Sequence, residues 1–139
     1  MITGTDHLVL AVANLEEGIA TWSANLSQLP THTVRGGGNG VDQAFFTLAD
    51  DTFVELIAPA DESSALAEAL AKSGEGLHVL ALRVDDLART VEELKAAGRR
   101  LIGDGSHPMF IHPESASGVL GQLWPEDRPH RWRDEERSG

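Results

Sequence analysis

Apolar positions in this chain alternate first and then recur at helical spacing, and the sequence of periods repeats. Leu8, Leu10 and Val12 alternate with smaller or polar residues, which predicts a strand over Thr5 to Val12 buried on one side. Leu15, Ile19, Trp22 and Leu26 follow at helical spacing. Asn14 stands where a cap is needed, Glu16 and Glu17 suit a first turn, and Pro30 lies just past the end. Three short runs come next: Thr31 to Arg35, Val41 to Leu48 and Thr52 to Ala58. The turns Gly36-Gly37-Gly38-Asn39-Gly40 and Ala49-Asp50-Asp51 separate them, so they are expected as strands. A connector, 61–74, holds a short helix through Ala65, Leu66, Ala69 and Leu70. The series then restarts with a strand at Leu77 to Val84 and a helix at Leu87 to Ala97, its Val91 and Leu94 inward and Gly98 as its stop. Strands at Arg99 to Ile102, Pro108 to His112 and Gly118 to Trp124 complete it. The order is strand, helix and three strands, twice over.

The repeat is visible residue by residue. A shift of 72 positions lays Leu8, Leu10, Val12 and Leu15 onto Leu80, Leu82, Val84 and Leu87. It also lays His7 onto Val79, so His78 is one residue out of phase. Successive strand side chains point to opposite faces, and a one-residue offset therefore decides whether an imidazole enters a site. The expected fold class is α+β: two tandem βαβββ units, about 1–60 and 75–125, within one domain at 1–125. From Pro125 onward the chain is charged and poor in apolar residues, so 126–139 is expected as a loose, frayed tail, the alternative being that Trp132 docks on the body or on a partner subunit.

Composition narrows the function classes. The chain has 139 residues, enough for one core, and no cysteine, which removes disulfides, thiolate metal sites and cysteine nucleophiles. Its 22 acidic and 11 basic side chains give a net charge of −11, a field that repels nucleic acid and anionic lipid. The first residues lack a signal-peptide pattern, so a cytoplasmic location is expected, with neither membrane nor nucleic acid as partner. Arg35, Arg83, Arg99 and Arg100 are either solvated charges or a local basic mouth for an anionic small molecule. The glycine run at 36–40 has no GK[ST] after it and opens no helix, which removes a phosphate-loop role.

Four separated phrases, TDHLVLAVANLEE, TFVELIAPADESS, GEGLHVLALRVDDL and FIHPESASGVLGQL, resemble the vicinal oxygen chelate superfamily of glyoxalases, bleomycin-resistance proteins and dioxygenases. Within it they are most similar to methylmalonyl-CoA epimerase-like proteins. The resemblance implies a curved mixed sheet around a central cleft with helices outside. It also implies a divalent metal held by the first and last strands of each unit. Carried over, those positions are His7, Glu55, Val79 and Gln122. The related phrase reads Gly-Leu-His-His with the second histidine as ligand, whereas here it is Gly76-Leu77-His78-Val79. Glutamine also stands at 122 and 43, where the relatives place carboxylates. No metal cofactor is therefore expected; if one is held, the set is His7, Glu55 and Gln122. A strand bulge near Leu77 would re-aim His78 and change that.

What remains is an isomerase- or lyase-like acid/base enzyme, with His7 as base and Glu55 as its orienting carboxylate. Gln43 and Gln122 are expected as polar anchors for a carbonyl or enolate, and an amide there can donate hydrogen bonds but cannot take the proton. Arg83, His112 and Ser115 complete the expected substrate-binding set, although proline and serine turn chemistry also accounts for the last two. His32, His107 and His130 are expected as surface or loop residues. By resemblance the substrate is a small molecule such as an acyl-CoA, and by analogy the protein is a homodimer. Two alternatives stand beside this. One is a protein that sequesters a hydrophobic or aromatic compound between Phe45, Phe53, Phe110 and Trp124, with His7 merely a hydrogen-bonded histidine. The other is a glyoxalase-like metal lyase with altered ligands.

Overall fold

The computed structural model describes residues 1–37 and 40–133. Eight strands and three α-helices occur in the expected order among them. They are β1 (Ile2–Ala11), α1 (Leu15–Leu26), β2 (His32–Val34), β3 (Val41–Thr47), β4 (Phe53–Pro59), α2 (Ala65–Ser73), β5 (Gly76–Val84), α3 (Leu87–Ala96), β6 (Leu101–Ile102), β7 (Met109–Ile111) and β8 (Leu120–Pro125), with a 3-10 turn at Pro113–Ser115. The helices begin where short polar side chains satisfy their first amides. Asn14 accepts from the Glu17 N–H, Ser64 from Ala67 and Asp86 from Arg89. None of the helices is long and apolar enough to cross a membrane. Gly38 and Asn39, part of the expected glycine turn, lie outside the described residues.

The chain forms two compact units, whose limits fall inside β1 and β5 rather than in the connector. One is Leu8–His78. In it β3 pairs antiparallel with β2 and β4, in the register Phe45↔Glu55, Ala44↔Leu56 and Gln43↔Ile57. That register sorts the side chains by face. Ala44, Phe46, Val54, Leu56 and Ala58 form a core with Val12 and Leu15, against which Ile19, Trp22 and Leu26 of α1 pack. Gln43, Phe45, Glu55 and Ile57 are left on the opposite face.

The other unit joins Met1–His7 to the chain from Val79 onward. Here β5 runs parallel to β8, and β8, β7 and β6 pair antiparallel. Val84, Val91, Met109 and Leu123 are its core, with Leu87 and Leu94 of α3 packed on it. Pairing between β5 and β8 runs one to one from Val79↔Leu120 to Val84↔Pro125, without an inserted residue. Ala81 is thus opposite Gln122, and Arg83 opposite Trp124, on the face away from α3. Alternation back from Val79 puts His78, which is half-buried, on the Leu80 and Leu82 side.

The expectation of a loose tail is corrected over residues 126–133. The Glu126 N–H donates to the Val84 carbonyl, and the Trp124 indole N–H donates to the Arg128 carbonyl at 3.0 Å. Trp132 is only 7% exposed, and the Arg133 guanidinium lies 5.2 Å from the centre of its ring. Two aromatic side chains, Trp124 and Trp132, thus give this short charged segment the apolar contact that its composition obscures. Residues 134–139 lie outside the described part.

Candidate functional site

His7 sits near the middle of β1, 4% exposed, beside Asp6 at 5%. A regular pleat sends neighbouring side chains to opposite faces. Here the His7 Nδ1 and Asp6 Oδ2 nevertheless meet at 2.7 Å. The same Oδ2 lies 2.7 Å from Nε2 of His130, and Oδ1 lies 3.5 Å from Nε of Arg83. Trp124 organises the rings: His130 stacks on it at 4.2 Å and 13°, and His7 meets it edge-on at 5.7 Å. His107 also meets Trp124 edge-on, at 4.8 Å.

Charge explains how the cluster is held. Burial would raise the Asp6 carboxyl, but hydrogen bonds from His130 and His7, with their fields, hold it well below the ordinary carboxylate range. An ionised carboxylate only accepts, so Nδ1 of His7 and Nε2 of His130 both donate to it. Burial pulls the His7 imidazole below its ordinary value, against the opposing pull of Asp6. Neutral His7 with its proton on Nδ1 carries its lone pair on Nε2.

A different carboxyl is perturbed in the other unit. Glu55 lies between Phe53 and Ile57 on its own strand face, with Phe45 directly across. Phe45 and Phe53 pack edge-on at 6.0 Å. Burial in this apolar surround pushes the Glu55 carboxyl up to about 7, and the hydrogen bond that Gln43 Nε2 donates to its Oε2 at 3.1 Å only partly opposes the rise.

The remaining expected residues divide by what they touch. Arg83 joins the Asp6 cluster. Gln122 shares its face with Ala81 and, across β7, with Phe110. His112 accepts from the Glu114 N–H and starts the 3-10 turn. Ser115 accepts from the Arg100 N–H through its hydroxyl and from Arg99 through its carbonyl. Turn chemistry therefore engages both His112 and Ser115. Arg100 also pairs with Glu114, and Arg35 with Glu16 and Asp42. Sequence reasoning missed Asp6 and His130. Strict alternation placed Asp6 away from His7, and His130 lay in a stretch read as unstructured; the only available signal was the unusual pair of tryptophans at 124 and 132. His130 is corrected from a surface residue to a member of the buried cluster, its side chain 11% exposed. His107 lies in the loop before β7, as expected, half-buried against Trp124.

Of the positions that the resemblance assigns to a metal, Val79 has no donor atom and Gln122 has only an amide, so those residues are a poor donor set. Asp6, His7 and His130 are a better one: one ligand atom from each lies within 4.8 Å of the others, the only such trio among the described residues.

Comparison with known proteins agrees over most of the chain. A family model described as the Glyoxalase/Bleomycin resistance protein/Dioxygenase superfamily matches residues 6–112. The ethylmalonyl-CoA/methylmalonyl-CoA epimerase of Cereibacter sphaeroides is 30% identical over 132 residues, covering 88% of this chain and 98% of that protein. The crystal structure of methylmalonyl-CoA epimerase from Mycobacterium tuberculosis superposes with a TM-score of 0.75 at 33% identity, covering 91% of this chain and 90% of that one. A Streptomyces coelicolor methylmalonyl-CoA epimerase variant in complex with 2-nitronate-propionyl-CoA gives a TM-score of 0.74 at 27% identity, covering 92% and 100%. The α+β vicinal oxygen chelate fold expected from the sequence is therefore the fold of this chain.

Proposed function

Because the chain belongs to the glyoxalase/bleomycin resistance protein/dioxygenase superfamily, we propose that it is an epimerase-type enzyme moving a proton at the carbon beside the thioester carbonyl of an acyl-CoA. One observation carries this: Glu55, whose carboxyl is raised to about 7 on an apolar strand face, is divided between its acid and base forms near neutral pH. A group in that state can take a proton and return it, which epimerisation requires. The two curated and solved epimerases matched nearly end to end support the reaction class and the acyl-CoA substrate.

The residues divide the work as follows. Glu55 in its ionised form removes the acidic proton beside the carbonyl, and the same low-polarity surround that raises its carboxyl strengthens that base. The Gln43 amide fixes the orientation of Glu55 by donating to it, and in doing so keeps enough charge on it to act. The protonated Glu55 carboxyl then returns a proton to the carbon, while His7, in the other unit, keeps its Nδ1 proton on Asp6. A cytoplasmic location and a homodimer belong to the same proposal by analogy.

The test is exchange of the proton at that carbon when methylmalonyl-CoA or ethylmalonyl-CoA is incubated with the protein in deuterium oxide, followed by NMR. Exchange above the buffer rate is expected, falling at least ~100-fold in Glu55→Gln, the usual scale of general acid/base assistance. Tight binding of either thioester by the wild type without exchange would favour the sequestering alternative, for which the Phe45 and Phe53 wall is the supporting feature.

A further inference from the structure

We infer that residues 126–133 are an internal plug: docked, they cover one end of the β5–β8 face that points away from α3, and a ligand reaches that end and His7 only when they leave. The face carries Ala81 beside Gln122 and Arg83 beside Trp124. His7 and position 122 are where the superfamily resemblance puts the site. The plug lies over the Trp124 end. His130 stacks on the indole at 4.2 Å, reaches the Asp6 carboxylate and stands edge-on to His7 with ring centres 5.4 Å apart. Trp132 follows, its ring 6.5 Å from that of His130, and is itself buried. Any ligand laid on Trp124 thus competes with the chain's own segment.

The way the segment is held makes it displaceable. Glu126, Asp127, Arg128, Pro129 and Arg131 face solvent, whereas His130 and Arg133 are half-buried and Trp132 is buried. Two rings therefore anchor an otherwise solvated stretch. Glu126 closes the near end, its N–H on the Val84 carbonyl and its carboxylate accepting from the Thr3 hydroxyl at 3.3 Å. Beyond it the backbone amides donate within the segment's own turns, Arg128 to the Pro125 carbonyl and Arg133 to that of His130. The body adds only the Trp124 indole N–H on the Arg128 carbonyl. Lifting the two rings away thus leaves the β5–β8 ladder intact, the kind of local opening that costs less than unfolding. Once free, the segment is a charged stretch that water solvates readily. The apparent affinity for a ligand on this face is then reduced by the fraction of molecules in which the plug is docked.

The chain has no cysteine of its own, so Arg131→Cys, at an exposed position, gives a single site for a nitroxide spin label in the full-length protein. The label is expected to be immobilised without ligand and to become mobile when His130→Ala or Trp132→Ala is added, each checked for folding by circular dichroism. Acylation of His7 by diethyl pyrocarbonate, followed residue by residue by mass spectrometry, is expected to run at least ~10-fold faster in either variant, since protection lasts only while the segment is docked. Saturating methylmalonyl-CoA is expected to mobilise the label in protein carrying only Arg131→Cys, and Trp132→Ala to lower the half-saturating thioester concentration about 10-fold. The thioester measurements rest on the acyl-CoA reading; label mobility and His7 acylation do not. A label already mobile without ligand, His7 equally protected in both variants, or thioester bound with the label still immobile would overturn the plug. Absence of proton exchange in every form, with the label and His7 responding as expected, would sink the epimerase reading and leave the plug standing.

Discussion

Glu55 and Asp6 are both strand carboxylates, and their neighbours drive them in opposite directions. Glu55 faces Phe45 and stands between Phe53 and Ile57, so desolvation dominates and its carboxyl rises to about 7. Asp6 is buried too, but the hydrogen bonds and fields of His130 and His7 more than offset that burial. The rate of proton exchange is accordingly expected to rise with pH along a limb centred near 7. Glu55→Asp is expected to retain a weakened limb and Glu55→Gln to lose it, measured as exchange rate against pH at saturating thioester. A limb unchanged in Glu55→Gln would assign the titration to another group. The alternating pattern did mark Glu55 as a carboxylate among apolar strand residues. It could not mark Asp6 as the partner of His7, because adjacency along a strand argues for separation, and only the packing around Trp124 brings their polar atoms together.

Among the elements, α1 shows most directly how close packing overrides propensity. Gly18 lies in its interior, where replacement by alanine ordinarily adds up to ~1 kcal/mol of stability. A Cβ at this position would stand 2.9 Å from Cγ2 of Val12, a buried β-branched side chain with little room to turn. Gly18→Ala is therefore expected to destabilise by about 1–3 kcal/mol, the range for overpacking, seen as a lowered urea midpoint. A raised midpoint would show that β1 and α1 can part at no cost. Among the described residues the order of the eight strands and three helices was legible beforehand, from alternating apolar runs and from helical runs with a cap beside them, although β1 begins at Ile2 rather than at Thr5. The tail was not: charge density predicted solvation, whereas His130 and Trp132, with hydrogen bonds from the Glu126 N–H to Val84 and from the Trp124 indole to Arg128, hold residues 126–133 against Asp6 and Trp124.

For the molecule as a whole, the buried groups Asp6, His7 and Glu55 each make stability vary with pH. Asp6 and His7 both bind protons less readily folded than unfolded, so the stability that they support falls as pH drops, first below the ordinary histidine value of 6.5 and then below the carboxylate value of 3.8. Glu55 binds its proton more readily when folded, so its penalty grows between pH 4.5 and about 7 and is complete above that. Glu55→Gln is therefore expected to gain stability over the wild type progressively across that interval, read as denaturant midpoints at successive pH values, while it loses exchange activity. A gain that does not vary with pH would contradict this assignment. Such a cost retained at one carboxyl is what a working acid/base group requires. Local periodicity, capping residues and a 72-residue repeat were enough to specify the elements, and four phrases carried the resemblance to the superfamily and exposed the valine at 79, because these are properties of short stretches and of residue identity. The ionisation of Glu55, the pairing of Asp6 with His7 and the recruitment of His130 were settled by packing alone. Each depends on groups distant along the chain, or on opposite faces of an ideal strand, whose interaction energies exist only once water has been excluded around them.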